Sequence, residues 1–256
     1  MMPEAEKQAL LYGSWDSFTG QVFREWKNDP AHYKDRAHTH VIDPFMVPRH
    51  WLIYRGFDFG YARPFSVGWY AVDEEGRIYR IREYYGTEGQ PDVGMRMHAV
   101  DIAAQIRIIE QSDPNLVGRD IIGIADPSIF DESRGASIAQ LMAQHPNYVT
   151  WARGDNTRIA GKMQYHYRLA FDPDGRPMFQ VFNTCRHFIR TIATLVYSES
   201  NVEDVDTKQE DHIYDECRYV LMEQPISPRA NIRPNLPQDD PLNLVKDNDK
   251  YRFYAV

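Results

Sequence analysis

The chain has 256 residues, 43% hydrophobic, 13% aromatic and 26% charged, a globular composition with enough apolar material for one substantial core. Its 29 lysines and arginines against 37 acids leave a net charge of −8. That excludes a generally basic nucleic-acid coat, but not an enzyme with a local basic track around a concentrated acidic centre. No apolar run approaches the roughly 20 residues of a membrane span, and no basic-then-apolar leader is evident. The two cysteines, Cys185 and Cys217, suit free thiols in a reducing compartment better than one disulfide or a zinc framework.

Residues 1–50 are too short and irregular to form a core of their own. They carry a short helical stretch at 4–11, then Trp15, Phe18, Phe23 and Trp26, then His32, His38, His40 and His50 among polar residues and prolines. This segment is expected to pack on the region from Trp51 onward, or to be the remnant of something upstream. Its histidines are expected to be loop residues, because no cysteine or helical spacing supports a metal site at His38, His40 and His50.

From Trp51 the pattern becomes regular. Strands are expected at 51–59, 65–72 and 77–85, the last two joined by the turn Asp73-Glu-Glu-Gly76. Val93, Met97, Val100, Ile102, Ala103, Ile106 and Ile109 predict a helix over 91–109. A short apolar strand at 121–125 stops at Asp126-Pro127; after it come a helix near 136–144, a strand at 148–151 and a helix near 157–170. Asp172-Pro-Asp-Gly175 is a turn, 177–182 a strand, and 185–197 and 211–223 are helices. Hairpins first and crossovers later predict an α/β fold: a mixed sheet, three antiparallel strands then parallel ones, with helices on both faces. From Gln224 the tail holds five of the sixteen prolines and is expected to be extended. The expected organisation is therefore 1–50, 51–223 and 224–256.

The chemistry is sought where acids meet strand ends. Asp58 lies in the apolar strand Tyr54-Arg-Gly-Phe-Asp-Phe-Gly60, where a carboxylate is costly without a cation or hydrogen bonds. Gly56 and Gly60 beside it leave room for a substrate backbone. A strand-end acid capping a turn is the equal alternative. Asp126 stands at the carboxyl end of a strand, where open sheets present ligand sites, although Asp-Pro is also an ordinary strand-to-turn junction. Asp211 and Asp215, at i and i+4 of the last helix and with His212 beside them, repel each other and so suit a divalent metal better than stability. A solvated acidic helix start is the alternative. Hard oxygen donors of this kind favour Mg2+ or Mn2+ over zinc, and two such ions suit phosphodiester cleavage. Arg153, Arg158, Lys162 and Arg168 form either a phosphate-contacting track or the charged face of an amphipathic surface helix.

Several motifs together carry a family resemblance. They are Gly56-Phe-Asp-Phe-Gly60 with Pro64, Ala125-Asp-Pro127, Asn156-Thr-Arg-Ile-Ala-Gly-Lys162, the Cys185 segment, Glu203-Asp-Val-Asp-Thr207, and Asp211-His-Ile-Tyr-Asp215 with Arg218-Tyr219. From about Trp51 to Met222 the chain resembles the nuclease domain of tailed-phage terminase large subunits. The resemblance implies an RNase H-like fold and a two-metal endonuclease that cuts concatemeric double-stranded phage DNA during packaging, using Mg2+ or Mn2+. It implies metal-binding acids at Asp58, Asp126 and Asp215 and an auxiliary histidine at His212, with Asp211 as a further candidate ligand. It also implies the portal and the small terminase subunit as partners, and the cytoplasm of a bacterial host as location. Gly13-Ser-Trp-Asp-Ser-Phe-Thr-Gly20 is similar to the stretch that links packaging ATPase to nuclease.

Full terminases carry a phosphate-binding loop, and the nearest approach here, Gly154-Asp-Asn-Thr-Arg-Ile-Ala-Gly-Lys162, has six residues between its glycines and Met163 in place of Ser or Thr. The chain is expected to be a nuclease half or a split gene product, without ATP-driven translocation of its own. Another RNase H-like nuclease (a junction resolvase or hybrid hydrolase) is the alternative enzyme. A docking module for packaging proteins, using Phe253-Tyr-Ala-Val256 after the proline-rich tail, is the alternative outside enzymes.

Overall fold

The computed structural model describes residues 20–226 apart from 134, 199, 200 and 202. The expected helical stretch at 4–11, Trp15, Phe18, nearly all of the 13–20 segment, and the tail from 227 onward lie outside the described residues.

The described strands are β1 (Val41–Ile42), β2 (Leu52–Asp58), β3 (Ser66–Val72), β4 (Ile78–Tyr85), β5 (Ile121–Ala125), β6 (Ala152–Arg153) and β7 (Phe179–Phe182). They form one sheet in the order β1-β7-β4-β3-β2-β5-β6. The expected meander is present: β2 pairs antiparallel with β3, and β3 with β4. Its second turn closes because Asp73 Oδ1 accepts from the amides of Glu75 (3.0 Å) and Arg77 (2.8 Å), while Gly76 takes φ +77°. The other pairs are parallel: β5 on β2, β6 on β5, β7 on β4 and β1 on β7.

Side-chain alternation assigns the faces. Arg55 and Trp69 point to one face, Gly56 and Gly68 to the other. On the first face lies α1 (Ala99–Ser112), whose Glu110 accepts from Arg55 Nη1 at 2.5 Å and Trp69 Nε1 at 3.1 Å. The other face carries α5 (His212–Glu223), with α3 (Arg158–Leu169) and α4 (Arg186–Ile192) packed against it. The short α2 (Ile138–Ala143) packs on α1 and opens with a capping box between Ser137 and Gln140. The mixed sheet with helices on both faces is therefore as the sequence predicts.

Three expected elements differ. The helix predicted over 91–109 starts only at Ala99. Residues ahead of it fold as a loop with Asp92 and Arg96 at positive φ, tied to the 61–62 backbone by the amides of Gly94 and Arg96. The strand predicted at 148–151 is irregular, with Tyr148 at φ +51°, and ladder pairing is confined to Ala152–Arg153. The helix predicted over 185–197 stops at Ile192, because Val196 and Tyr197 pair instead in β-bridges to Gln21 and Val205.

The described part of the segment before Trp51 packs on the sheet and helices that come after it. Val22, Phe23, Trp26 and β1 are all buried in the common core. His40 is a core residue rather than a loop histidine: it stacks on Trp26, accepts the Lys27 amide at Nδ1 (2.9 Å) and donates from Nε2 to the Leu169 carbonyl (2.8 Å). His50, by contrast, is exposed and pairs with Glu74. No helix among the described residues is long and apolar enough to cross a membrane, and Cys185 and Cys217 are both buried free thiols.

Candidate active site

The parallel register of β2 and β5 sets Phe57 opposite Ala125, so the next residue of each strand, Asp58 and Asp126, emerges at the same end of the sheet. The Asp126 amide donates to the Phe57 carbonyl at 3.1 Å and extends the ladder to that point. Asp126 also caps the 3-10 turn Pro127–Phe130, its Oδ1 accepting from the Ser128 amide at 2.6 Å. Its Oδ2 accepts from the Tyr219 hydroxyl at 2.5 Å. The turn-junction reading and the sheet-end reading of Asp126 therefore hold together.

The third contributor is α5. Its stripe of Ile213, Cys217, Val220 and Leu221 is buried against the sheet, as its spacing predicts. Glu216 on the same helix is fully buried and satisfied by Arg80 Nη1 (2.7 Å), Tyr70 Oη (2.8 Å) and Ser66 Oγ (3.1 Å). A side chain at either Gly56 or Gly68 would overlap Glu216. This corrects the expectation for Gly56: the room it leaves is filled by the helix, not a substrate. Gly60 likewise lies against the carbonyls of Arg63 and Pro64.

Seated in this way, the first turn of α5 points at the strand ends. His212 Nδ1 lies 3.1 Å from Asp58 Oδ2, and its Nε2 faces Asp92 Oδ1 at 3.4 Å from the loop before α1. Neither His212 Nε2 nor Asp92 Oδ1, both buried, has a hydrogen-bond partner. Asp211 and Asp215 both face Arg158, whose Nη1 lies 3.2 Å from Asp215 Oδ2 and whose Nη2 lies 4.0 Å from Asp211 Oδ2. Arg218 adds a second guanidinium to Asp215 at 3.0 Å.

Electrostatics register the crowding. Burial pushes the Asp58 carboxyl up to about 6, against the lowering effect of His212 and with added repulsion from Asp215 and Asp126. Burial, then Asp215, pushes Asp211 up to about 7. Burial favours neutral His212, but Asp58, Asp211 and Asp92 outweigh it and raise the imidazole above its ordinary value. These are carboxylates whose charge the protein leaves partly uncompensated.

The donor chemistry fits a hard divalent cation: Asp58, Asp126, Asp211 and Asp215 supply carboxylate oxygen at one end of the sheet, and His212 beside them has a ring nitrogen, Nε2, that faces Asp92 without hydrogen-bonding. As the side chains stand, each of Asp58, Asp126 and Asp215 turns to its own protein partner. No group of three or more His, Cys, Asp or Glu among the described residues converges as a ready-made cage.

The four basic candidates do not share a face. Arg153 is exposed, lying over Phe130 and donating to the Pro127 carbonyl. Arg158 is in the acidic cluster. Lys162 is buried, bonded to the Glu203 carbonyl and lying over Tyr197. Arg168 is wholly buried and spends its guanidinium on the carbonyls of Gly76, Met178 and Gln224. Sequence reasoning missed the parts played by Asp92, Glu216 and Tyr219. Asp92 sits in a loop with no periodicity to read, whereas Glu216 carried a legible signal, an acid at i+3 inside an apolar stripe.

No protein-family model matches the chain, and no curated protein matches it significantly. Among solved structures it is similar to the large terminase of the thermophilic bacteriophage D6E, with TM-score 0.55 and 20% identity over 79% of this chain. That match covers 44% of the D6E chain, so this chain spans under half the length of that protein. It is also similar to the P22 large-terminase nuclease domain, with TM-score 0.56 and 18% identity over 80% of this chain and 92% of the domain. What is shared at such identity is the fold, that of the P22 large-terminase nuclease domain.

Proposed function

We propose that the chain is a metal-dependent DNA endonuclease of a phage or prophage packaging terminase, cutting concatemeric double-stranded DNA. What supports the proposal is that Asp58 and Asp126 leave adjacent parallel strands at one end of a sheet with the fold of a terminase nuclease domain, while Asp215 and Asp211, from the start of α5, lie near enough to act electrostatically on Asp58 and on each other. Asp58 and Asp211 are buried with their charge incompletely offset, which is costly unless a cation compensates, so function rather than stability accounts for these two acids.

Asp58, Asp126 and Asp215 would hold Mg2+ or Mn2+, with Asp211 as a further ligand. Such a pair of ions, when bound, supplies a hydroxide nucleophile and stabilises the leaving oxygen of an in-line displacement at phosphorus. The chain's own residues prepare the carboxylates. His212 orients Asp58 through Nδ1 and keeps Nε2 available to accept or pass a proton. Tyr219 and the Ser128 amide fix both oxygens of Asp126. Arg153, exposed beside the end of β5, is the basic candidate best able to meet a phosphate. A separate tail from 224, portal and small-subunit partners and a bacterial cytoplasmic setting belong to the same proposal, whereas the described part of 1–50 gives β1 to the sheet and is one unit with 51–223.

The test is plasmid nicking with Mg2+ or Mn2+. Wild type should nick, and Asp58→Ala and Asp215→Asn should reduce cleavage to background; unchanged cleavage in both variants would sink the assignment.

A further inference from the structure

Asp215 is the proposed ligand most closely paired with cations, and its two arginines are held very differently. Arg218 lies one turn along the same helix, is 2% exposed, and has its stem packed against Gly161 of α3. It is part of the wall. Arg158 opens α3 from the other side and is 28% exposed. Its Nε donates to Asp204 Oδ2 at 2.6 Å, its Nη1 reaches Asp215 Oδ2 at 3.2 Å and Oδ1 at 3.4 Å, and its Nη2 lies 4.0 Å from Asp211 Oδ2. Asp204, in the segment ahead of α5, thus anchors the guanidinium from behind while its tips lie on Asp211 and Asp215. Among the described residues no lysine or arginine is within ion-pair distance of Asp58 or Asp126.

We infer that Arg158 is a resident counter-cation that competes with a divalent ion for Asp215, so that metal can take this carboxylate only as Arg158 gives it up. The inference rests on the metal reading above. Its physical basis is that Arg218 already holds Asp215 Oδ1, so Oδ2 is the oxygen left for a metal, and a guanidinium and a divalent ion against that same oxygen in a half-buried site repel each other strongly. Arg158 can yield because its stem is flexible and it keeps Asp204 when it leaves Asp215, whereas Arg218 is packed in place. The same geometry removes Arg158 from the free basic track: it is available to a phosphate only once Asp215 has another partner.

The test is Mn2+ binding to the full chain by isothermal titration calorimetry, with thermal unfolding as a check of folding. Arg158→Gln should bind Mn2+ about tenfold more tightly than wild type, within the usual range of coupling between two competing sites. Arg158→Lys, which keeps the charge but cannot bridge Asp204 and Asp215 with one planar fork, should fall between them. Arg49→Gln, at the far end of β2, controls for a general change of charge and should match wild type. A merely structural Arg158 gives the opposite sign, since loosening the site weakens binding. Measurable binding by wild type that is equal or weaker in both Arg158 variants overturns the inference alone. If Arg158→Gln fails to fold, the Lys variant against wild type decides. No Mn2+ binding by any of these proteins overturns the metal reading and the inference with it.

Discussion

Glu216 lies directly against Gly56, so close that a methyl group on Gly56 would overlap its carboxylate. Gly56 is two residues before Asp58, and Glu216 is one residue after Asp215. A single buried contact therefore sets the spacing between two of the acids. The Glu216–Arg80 pair beneath it, fully buried at 2.7 Å, gives the helix one seating on the sheet.

Gly56→Ala should destabilise the fold by about 1–3 kcal/mol, the usual cost of overpacking, and should reduce nicking even where the protein remains folded. Glu216→Ala, which strands Arg80 as an uncompensated buried charge, should cost about 3–5 kcal/mol. Changing both partners to apolar residues, Arg80→Met with Glu216→Leu, should recover most of that loss. Urea unfolding of the four proteins checks the ordering, and an equal loss in the double variant contradicts it.

Asp58 should lower stability at neutral pH in the absence of metal. Its folded carboxyl is at about 6 against an ordinary 3.8, so the folded state holds this proton more tightly than the unfolded chain does. The favourable contribution is present below the lower value and lost as pH rises through the higher one. Asp58→Asn in EDTA should therefore be more stable than wild type by up to about 3 kcal/mol at pH 8, and by about 1 kcal/mol at pH 4.5. Denaturant melts at the two pH values measure this. A variant equal to wild type at pH 8 removes the charge-strain account of the site.

Tyr219 should matter through Asp126. Its hydroxyl donates to Asp126 Oδ2 at 2.5 Å, and Tyr219→Phe removes that bond while keeping the packed ring. Nicking should fall about 10-fold or more, as is usual when a ligand loses its orienting partner. Thermal stability should change far less than in the Glu216 variants. Full activity in Tyr219→Phe would show that the Ser128 amide alone positions the carboxylate.

His40 should make the N-terminal packing sensitive to acid. Burial depresses its imidazole to about 4, against the raising effect of its carbonyl partners, and the neutral ring satisfies both the Lys27 amide and the Leu169 carbonyl. A depressed histidine contributes fully above its ordinary value of 6.5 and loses that contribution as pH falls toward 4. Comparison with His40→Gln isolates it from the acids, which shift in the opposite sense. The wild-type advantage should shrink by about 2 kcal/mol between pH 7.5 and pH 5. A constant difference across that range would mean that His40 takes up its proton without cost.

Local patterning was enough to read the meander, the 12-residue helices α3 and α5, and the grouping of Asp211, His212 and Asp215, because period-two and helical spacing are properties of neighbouring residues. It also located Asp58 within the first strand and Asp126 at the end of another, though only the parallel pairing of Phe57 with Ala125 makes them neighbours. Register is a long-range property, and so is the partner of a charge. Arg158 and Arg168 read alike along the helix, yet one meets Asp204, Asp211 and Asp215 while the other is consumed by backbone carbonyls in the interior. Gly56 reads as open space and is filled by Glu216 from 160 residues away. The sequence by itself determined the meander, α3 and α5 and the acids carried by β2 and α5, since those depend on local spacing. The tertiary structure alone decided which charges face one another, because burial and ion pairing depend on the surfaces that distant segments bring together.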